Sequence, residues 1–179
     1  MKKIKFIVLA LVLAALVLIV LSYKKEDYNI YKNESWSFQI SYPTDWIQQL
    51  INEAEEGVII GFFSPQEDSE DTFSENVSVT ATIKDPSKDF EMLVEEGLEN
   101  LEQEENRSAI ENSKVKLAGL SGYKIFYTET SDESELQFLH YWLEGKNEKV
   151  YIVIYSAEIS KYSEYWKKAK KIIDSFKIL

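Results

Sequence analysis

The chain has 179 residues and no cysteine, with 20 basic and 31 acidic side chains and a net charge of −11. It therefore has no disulfide, no thiolate metal site and no lipid-modified cysteine. So acidic a chain is repelled by nucleic-acid phosphates, which argues against a nucleic-acid partner. Its 11 Tyr, 9 Phe and 4 Trp favour a β-rich fold.

Lys2, Lys3 and Lys5 precede an unbroken apolar run from Phe6 to Leu21. At about 1.5 Å per residue, residues 4–23 would span roughly 30 Å, the thickness of a bilayer core. The leading lysines favour a cytoplasmic N-terminus. The expectation is a single-pass transmembrane helix holding an extracytoplasmic domain in the cell membrane. The competing expectation is a signal peptide cleaved near Ser22, giving a secreted domain. Either way residues 1–27 form an anchor or leader with a short linker, and residues 28–179 form one domain large enough for a sizeable core.

Tyr28–Tyr31 reads as a short strand. Trp36, Phe38, Ile40 and Tyr42 then alternate with Ser37, Gln39 and Ser41, the period of two of a half-buried strand. Pro43 stops it, since proline cannot donate to a ladder and holds Tyr42 extended. Thr44 and Asp45 are turn residues, and Trp46 adds another apolar anchor. Gln48–Glu56 is polar and reads as a brief helix. Val58–Phe63 is a continuous apolar run closed by Ser64-Pro65, as in a central strand. Gln66–Glu75 is an acidic loop, and Val77, Val79, Ala81 and Ile83 mark the next strand.

Asp85-Pro86-Ser87 opens a helix capped by Asp85 or by Ser87. Phe90, Leu93, Val94, Gly97, Leu98 and Leu101 share one face of it. Arg107–Leu117 and Tyr123–Thr130 are strands joined by a turn at Gly119–Gly122. Leu136–Leu143 and Val150–Ser156 form a hairpin around Glu144–Asn147. Ser160 caps a last helix that buries Tyr162, Tyr165, Trp166, Ala169, Ile172, Ile173 and Phe176.

One series of these pieces carries a family likeness. Trp36-x-Phe38-x-Ile40-x-Tyr42-Pro43-x-x-Trp46 is followed by Gly57–Phe63 with Ser64-Pro65, and by Asp71-x-Phe73-x-Glu75-Asn76-Val77-x-Val79. A helix, Leu120-x-Gly122-Tyr123 and a C-terminal helix ending in Ser175-Phe176 come next. In that order, from Tyr28 to Leu179, they resemble PsbP-like domains. The resemblance implies a Mog1/PsbP-type α+β fold: an antiparallel sheet of about six or seven strands flanked by two long helices, an αβα sandwich. It also implies an accessory role beside a protein partner, as in members that serve photosystem II or regulate the GTPase Ran. No catalytic motif of that family is there to carry over, and no cofactor is implied.

Candidate sites are few. Glu67, Asp68, Glu70 and Asp71 cluster carboxylates that either bind a cation or form a solvated loop; the glycine and distal Glu of an EF-hand are missing. His140, the only histidine, has no evident nucleophile to serve and reads as structural or surface. Glu95 and Glu99 lie on the acidic face of an amphipathic helix, and spacing alone does not make them a catalytic pair. Gly119-x-x-Gly122 lacks the lysine and following helix of a phosphate loop. Asn33, Asn76 and Asn106 match the N-glycosylation pattern. Lys161, Lys167, Lys168, Lys170 and Lys171 give the last helix the one basic surface of the domain. That surface is either a solvated face or a docking site for an acidic protein. The expected function is a membrane-anchored, non-enzymatic accessory domain supporting a protein partner. The alternative is an extracytoplasmic domain that binds a ligand or cation through the acidic loop or an aromatic-lined cavity.

Overall fold

The computed structural model describes residues 27–54, 57–130 and 134–179. Ten strands and two helices are found among them. They are β1 (Tyr28–Asn33), β2 (Phe38–Pro43), β3 (Ile47–Ala54), β4 (Gly57–Phe63), β5 (Asn76–Ile83), α1 (Phe90–Gln103), β6 (Arg107–Leu117), β7 (Leu120–Thr130), β8 (Glu135–Glu144), β9 (Lys149–Glu158), α2 (Tyr162–Asp174) and β10 (Lys177–Ile178). They build two antiparallel sheets, not the single sheet expected. One has seven strands in the order β3-β4-β5-β9-β8-β7-β6, and the other has three in the order β1-β2-β10. Two antiparallel meanders meet where β5 pairs with β9, and α1 carries the chain from one meander to the start of the other.

The expected transmembrane helix over residues 4–23 is corrected, and so is the single-pass location built on it. No helix among the described residues is long and apolar enough to cross a membrane. The segment that prompted the expectation lies outside the described residues.

The large sheet separates two cores. On one face, Val58, Ile60, Phe62, Val77, Val79, Tyr151, Val153 and Tyr155 meet Phe38, Ile40 and Tyr42 of the small sheet and Ala169, Ile172 and Ile173 of α2. On the other, α1 lays Phe90, Val94 and Leu101 over Ile125, Tyr127 and Val150. The alternation along β9 explains this division: odd residues from Tyr151 to Ala157 enter the first core, and Val150 and Ile152 enter the second. Phe38, Tyr151 and Phe176 form an aromatic triangle with ring centres 5.7–6.2 Å apart. The Tyr151 hydroxyl donates to the Trp36 carbonyl at 2.8 Å, joining the sheets through a buried hydrogen bond.

Several local expectations are corrected. The brief helix expected over Gln48–Glu56 is corrected: Ile47–Ala54 is an edge strand whose register shifts between Leu50 and Asn52, and residues 55 and 56 lie outside the described residues. The segment is mostly polar because every residue of this edge strand is exposed. Asp89, not Asp85 or Ser87, caps α1, accepting from the Met92 N–H at 2.8 Å. Asp85 instead closes a local turn with Ser87. Lys161 stands at the N-cap of α2 without a side-chain cap, so Ser160 does not fill that role. The turn before β7 is the pair Ala118-Gly119 alone, with φ of 55° and 80°, which matches the twist of a two-residue hairpin. Gly122 therefore lies within β7. A Cβ there would come within 1.9 Å of the Trp142 carbonyl oxygen, so only glycine fits.

Removing the Tyr151 hydroxyl leaves the buried Trp36 carbonyl without that donor, whereas removing the Phe38 ring empties the triangle. Tyr151→Phe is expected to cost about 1–3 kcal/mol of unfolding free energy and Phe38→Ala about 3–5 kcal/mol. Urea melts followed by circular dichroism measure both; equal costs would contradict this account of the seam.

Candidate functional site

The last helix brings two of the sequence candidates together. Lys161 forms a short ion pair with Glu67, and the Tyr165 hydroxyl donates to the other Glu67 oxygen at 2.8 Å. These bonds, led by the Lys161 contact, lower the Glu67 pKa from its ordinary value. The basic helix and the acidic loop thus clasp each other across the surface. Other lysines of α2 are engaged nearby: Lys168 lies 3.8 Å from Asp45, and Lys170 lies 2.5 Å from Asp174 one turn on. Lys167, Lys170 and Lys171 are exposed, and Lys161 and Lys168 are half-buried.

The loop's remaining carboxylates mostly serve its own backbone. Asp68 accepts from the Glu70 and Asp71 N–H groups at 2.8 and 3.1 Å. Asp71 accepts from Glu67 and Phe73 at 2.9 and 3.1 Å. These are the side-chain-to-backbone bonds by which aspartate closes tight turns. Glu75, behind the loop, is buried and raised in pKa, chiefly by desolvation. A depression of about 240 Å³ lies between Glu75, Glu158 and the loop, with Lys161 on its wall. Among the described residues, no group of three or more His, Asp or Glu side chains is placed to hold a metal ion.

Beside α2, over β6, β7 and β8, a cleft of about 410 Å³ opens between Phe126, Leu139, Tyr162 and Trp166, with Lys124 and Glu111 also lining it. Tyr162 and Trp166 lie one turn apart on α2, their rings nearly parallel at 8° with centres 6.2 Å apart. Phe126 meets Tyr162 edge-on at 6.1 Å. Tyr155 supports Tyr162 from beneath, donating its hydroxyl to the Tyr162 carbonyl at 2.8 Å. Burial pushes the Tyr162 hydroxyl up to about 12, so it remains a neutral phenol. The sequence reading placed Tyr162 and Trp166 on the buried side of the helix, but both are half-exposed. The signal that could have identified the cleft is the excess of aromatics in the first turns of α2, more than the sheet beneath it can cover.

A larger open groove of about 630 Å³ lies at the start of α1, beside Phe90, Glu91, Lys114 and Tyr123. Glu91 accepts from Lys114 at 3.1 Å and from the Tyr123 hydroxyl at 3.0 Å. Glu91, Lys114 and Tyr123 thus satisfy one another within the chain.

The other candidates are scattered. His140 sits on the α1 face, with Nε2 3.3 Å from the Tyr127 hydroxyl and Nδ1 accepting from the Trp142 indole at 3.4 Å. Burial, with Arg107 nearby, lowers its pKa to about 4. Both ring nitrogens are occupied, and a neutral imidazole so placed does not serve as a base for an outside substrate. Glu95 and Glu99 are exposed on α1. Asn33 and Asn76 are half-buried and their amides bond within the chain, whereas Asn106 is exposed.

A family model described as PsbP-like protein matches residues 21–178. Among solved structures, the fold is shared with cyanobacterial PsbP from Synechocystis sp. PCC 6803, at 16% identity and a TM-score of 0.61, over 88% of this chain and 95% of that one. It is also shared with LpqN of Mycobacterium tuberculosis, involved in cell envelope biogenesis, at 12% identity and a TM-score of 0.58, over 87% and 86%. The Ran-binding protein Mog1p of Saccharomyces cerevisiae matches at 10% identity and a TM-score of 0.53, over 86% and 96%. A search of curated proteins found no match.

The lowered pKa of His140 sets a pH dependence. The unfolded chain takes up this proton near 6.5 and the folded one only near 4. Between those values the unfolded state binds more protons, so stability falls as pH drops, by at most about 1.4 kcal/mol per pH unit. Glu75, with a raised folded pKa, opposes this trend equally in wild type and variant. Thermal melts from pH 7 to pH 5 should show a steeper loss for wild type than for His140→Gln. Parallel curves would show that His140 is not held neutral.

Proposed function

This chain belongs to the PsbP-like protein family, and from that membership we propose that it is a non-enzymatic accessory domain that docks a protein partner on α2. The observation that carries the reading is the cleft of Phe126, Tyr162 and Trp166, set beside the exposed edge of Lys167, Lys170 and Lys171. Half-exposed stacked aromatics over a rigid sheet make a low-entropy apolar anchor site, the kind that dominates binding energy in protein interfaces. The lysine edge adds attraction for acidic groups, on a chain whose net charge is otherwise strongly negative. The partner that fits is an acidic protein segment carrying an aromatic or bulky aliphatic side chain. The clasp between Lys161 and Glu67 fixes the start of α2 and so holds the cleft in shape.

Support also comes from the way the chain uses its ionisable groups. His140 is neutral with both nitrogens engaged, the loop aspartates close turns, and the helix glutamates are solvated or paired with lysines. A partner role agrees with the Ran-binding character of Mog1p, a distant relative of the same fold.

The test is capture of a partner by the full-length chain after mild cross-linking, with quantification by mass spectrometry. Changing Lys167, Lys170 and Lys171 together to Glu should reduce a reproducible partner at least tenfold, and Trp166→Ala should do the same. Glu95→Lys with Glu99→Lys, on the opposite side of the sheet, should leave capture unchanged. A partner that survives both changes on α2, or that is lost equally with the α1 variant, would refute the assignment to this helix.

A further inference from the structure

We propose that the β3 edge of the large sheet is a self-association site, at which two copies of this chain pair antiparallel through Ile47–Leu50 about a two-fold axis. The observation behind it is an edge strand whose first six residues carry neither charge nor proline, the commonest guards of a sheet edge. From Ile47 to Asn52 there is no charge and no proline. Every residue of the strand is exposed, with Ile47 at 63%, Leu50 at 48% and Ile51 at 52%. An open edge with apolar side chains is a template for another strand. The opposite edge, β6, differs. It carries Arg107, Glu111, Lys114 and Lys116, and it is bent by a bulge between Ser108 and Glu111, with Ala109 at a φ of 53°. Those are the usual defences of an edge; β3 shares the bulge and has a single charge, Glu53, near its end.

Charge selects the occupant. A chain with a net charge of −11 opposes its own association over most of its surface. The run Ile47–Asn52 is a strip on which two copies meet without like charges. Glu53, with Glu55 and Glu56 next in sequence, places the negative charge at one end. Antiparallel pairing carries the two Glu53 side chains to opposite ends of the seam, about 20–30 Å apart at roughly 3.3 Å per residue. That exceeds the screening length of about 8 Å at physiological ionic strength. Parallel pairing would set the acidic ends side by side.

The face beyond the edge fits the same partner. Gly61 lies under the ring of Phe63, and the Ile51 side chain reaches the same spot, so Ile51 and Phe63 cover the outer face of β4 together. Residues paired across strands share a face, so Ile47, opposite Phe63, extends this apolar patch to the edge. A two-fold pair of β3 strands makes the patches of both copies contiguous. The isologous contact uses up both β3 edges and leaves at the ends of the joined sheet only the guarded β6 strands. The seam is distinct from α2 and its cleft, so its failure would leave the docking proposal standing.

The cysteine-free sequence allows a direct test on the full-length chain. Single cysteines are placed at Gln48, Gln49, Leu50 or Glu53, and disulfide dimer formation is timed under mild oxidation. Antiparallel pairing brings one of the first three positions next to its copy, and that variant should cross-link at least tenfold faster than Glu53→Cys. In parallel, sedimentation velocity of the cysteine-free chain should show a dimer, with a dissociation constant raised at least tenfold by Leu50→Lys with Ile51→Lys. Equal cross-linking at all four positions, fastest reaction at Glu53→Cys, or association unaffected by the lysines would overturn the proposal. A wild-type monomer throughout would do so as well.

Discussion

The contact between Tyr151 and the segment around Trp36 is the constraint on which the rest of the structure depends. A tyrosine at the centre of a seven-stranded sheet gives its hydroxyl to a carbonyl just before β2, the central strand of the small sheet. Its ring meets Phe38 of that strand and Phe176, just beyond α2. Three segments far apart in sequence thus converge on one side chain. The small sheet would be marginal alone, but it becomes a lid fixed to the large one. The C-terminal end of α2 is set by the same lid: the Ser41 N–H donates to the Ser175 hydroxyl at 2.7 Å, and that hydroxyl donates to the Ile172 carbonyl at 2.6 Å. With one end of α2 set by Ser175 and the other by the Lys161 and Tyr165 bonds to Glu67, the aromatic cleft between them is held by the framework.

The two faces of the sheet are built differently. The face under α2 and the small sheet is packed with large side chains that are fully buried. The face under α1 depends on one close approach, where a Cβ on Gly97 would come within 2.4 Å of the Trp142 ring. Glycine costs a helix about 1 kcal/mol relative to alanine, and here the missing methyl lets the helix settle on an indole. That indole in turn donates to His140. The α1 side thus adds to a smaller core one aromatic and one absence, whereas the α2 side rests on the larger core.

The sequence made the alternating strands legible. Phe38, Ile40 and Tyr42, or Val77, Val79 and Ala81, show by their period which side faces inward, and the apolar run at Val58–Phe63 marks a buried strand. Gly122 and the Tyr-Pro element carried the family likeness that the family match confirms. The division into two sheets could not be read, because it rests on pairings between distant residues. Ile178 lies opposite Phe38, and no local pattern announces that. The β3 strand was misread because it is mostly polar: every residue of this edge strand is exposed, so its sequence carries no apolar alternation. Of the candidate site, the lysines and the acidic loop were visible as charges. That Lys161 and Glu67 engage each other, and that Tyr162 and Trp166 frame a cleft, depends on the folded distances between them.

The pairing of β10 with β2 has a consequence for the order of events at synthesis. β2 emerges early and shows the apolar row of Phe38 and Ile40, but its second edge is completed only by Lys177 and Ile178. The Leu179 N–H closes the join by donating to the Ser37 carbonyl at 2.9 Å. Until this stretch has emerged from the ribosome, the nascent domain carries an unfinished lid and an unfilled place for Phe176. The chain therefore cannot complete its larger core vectorially. Its final packing is taken in one closure, when β2 and β10 meet.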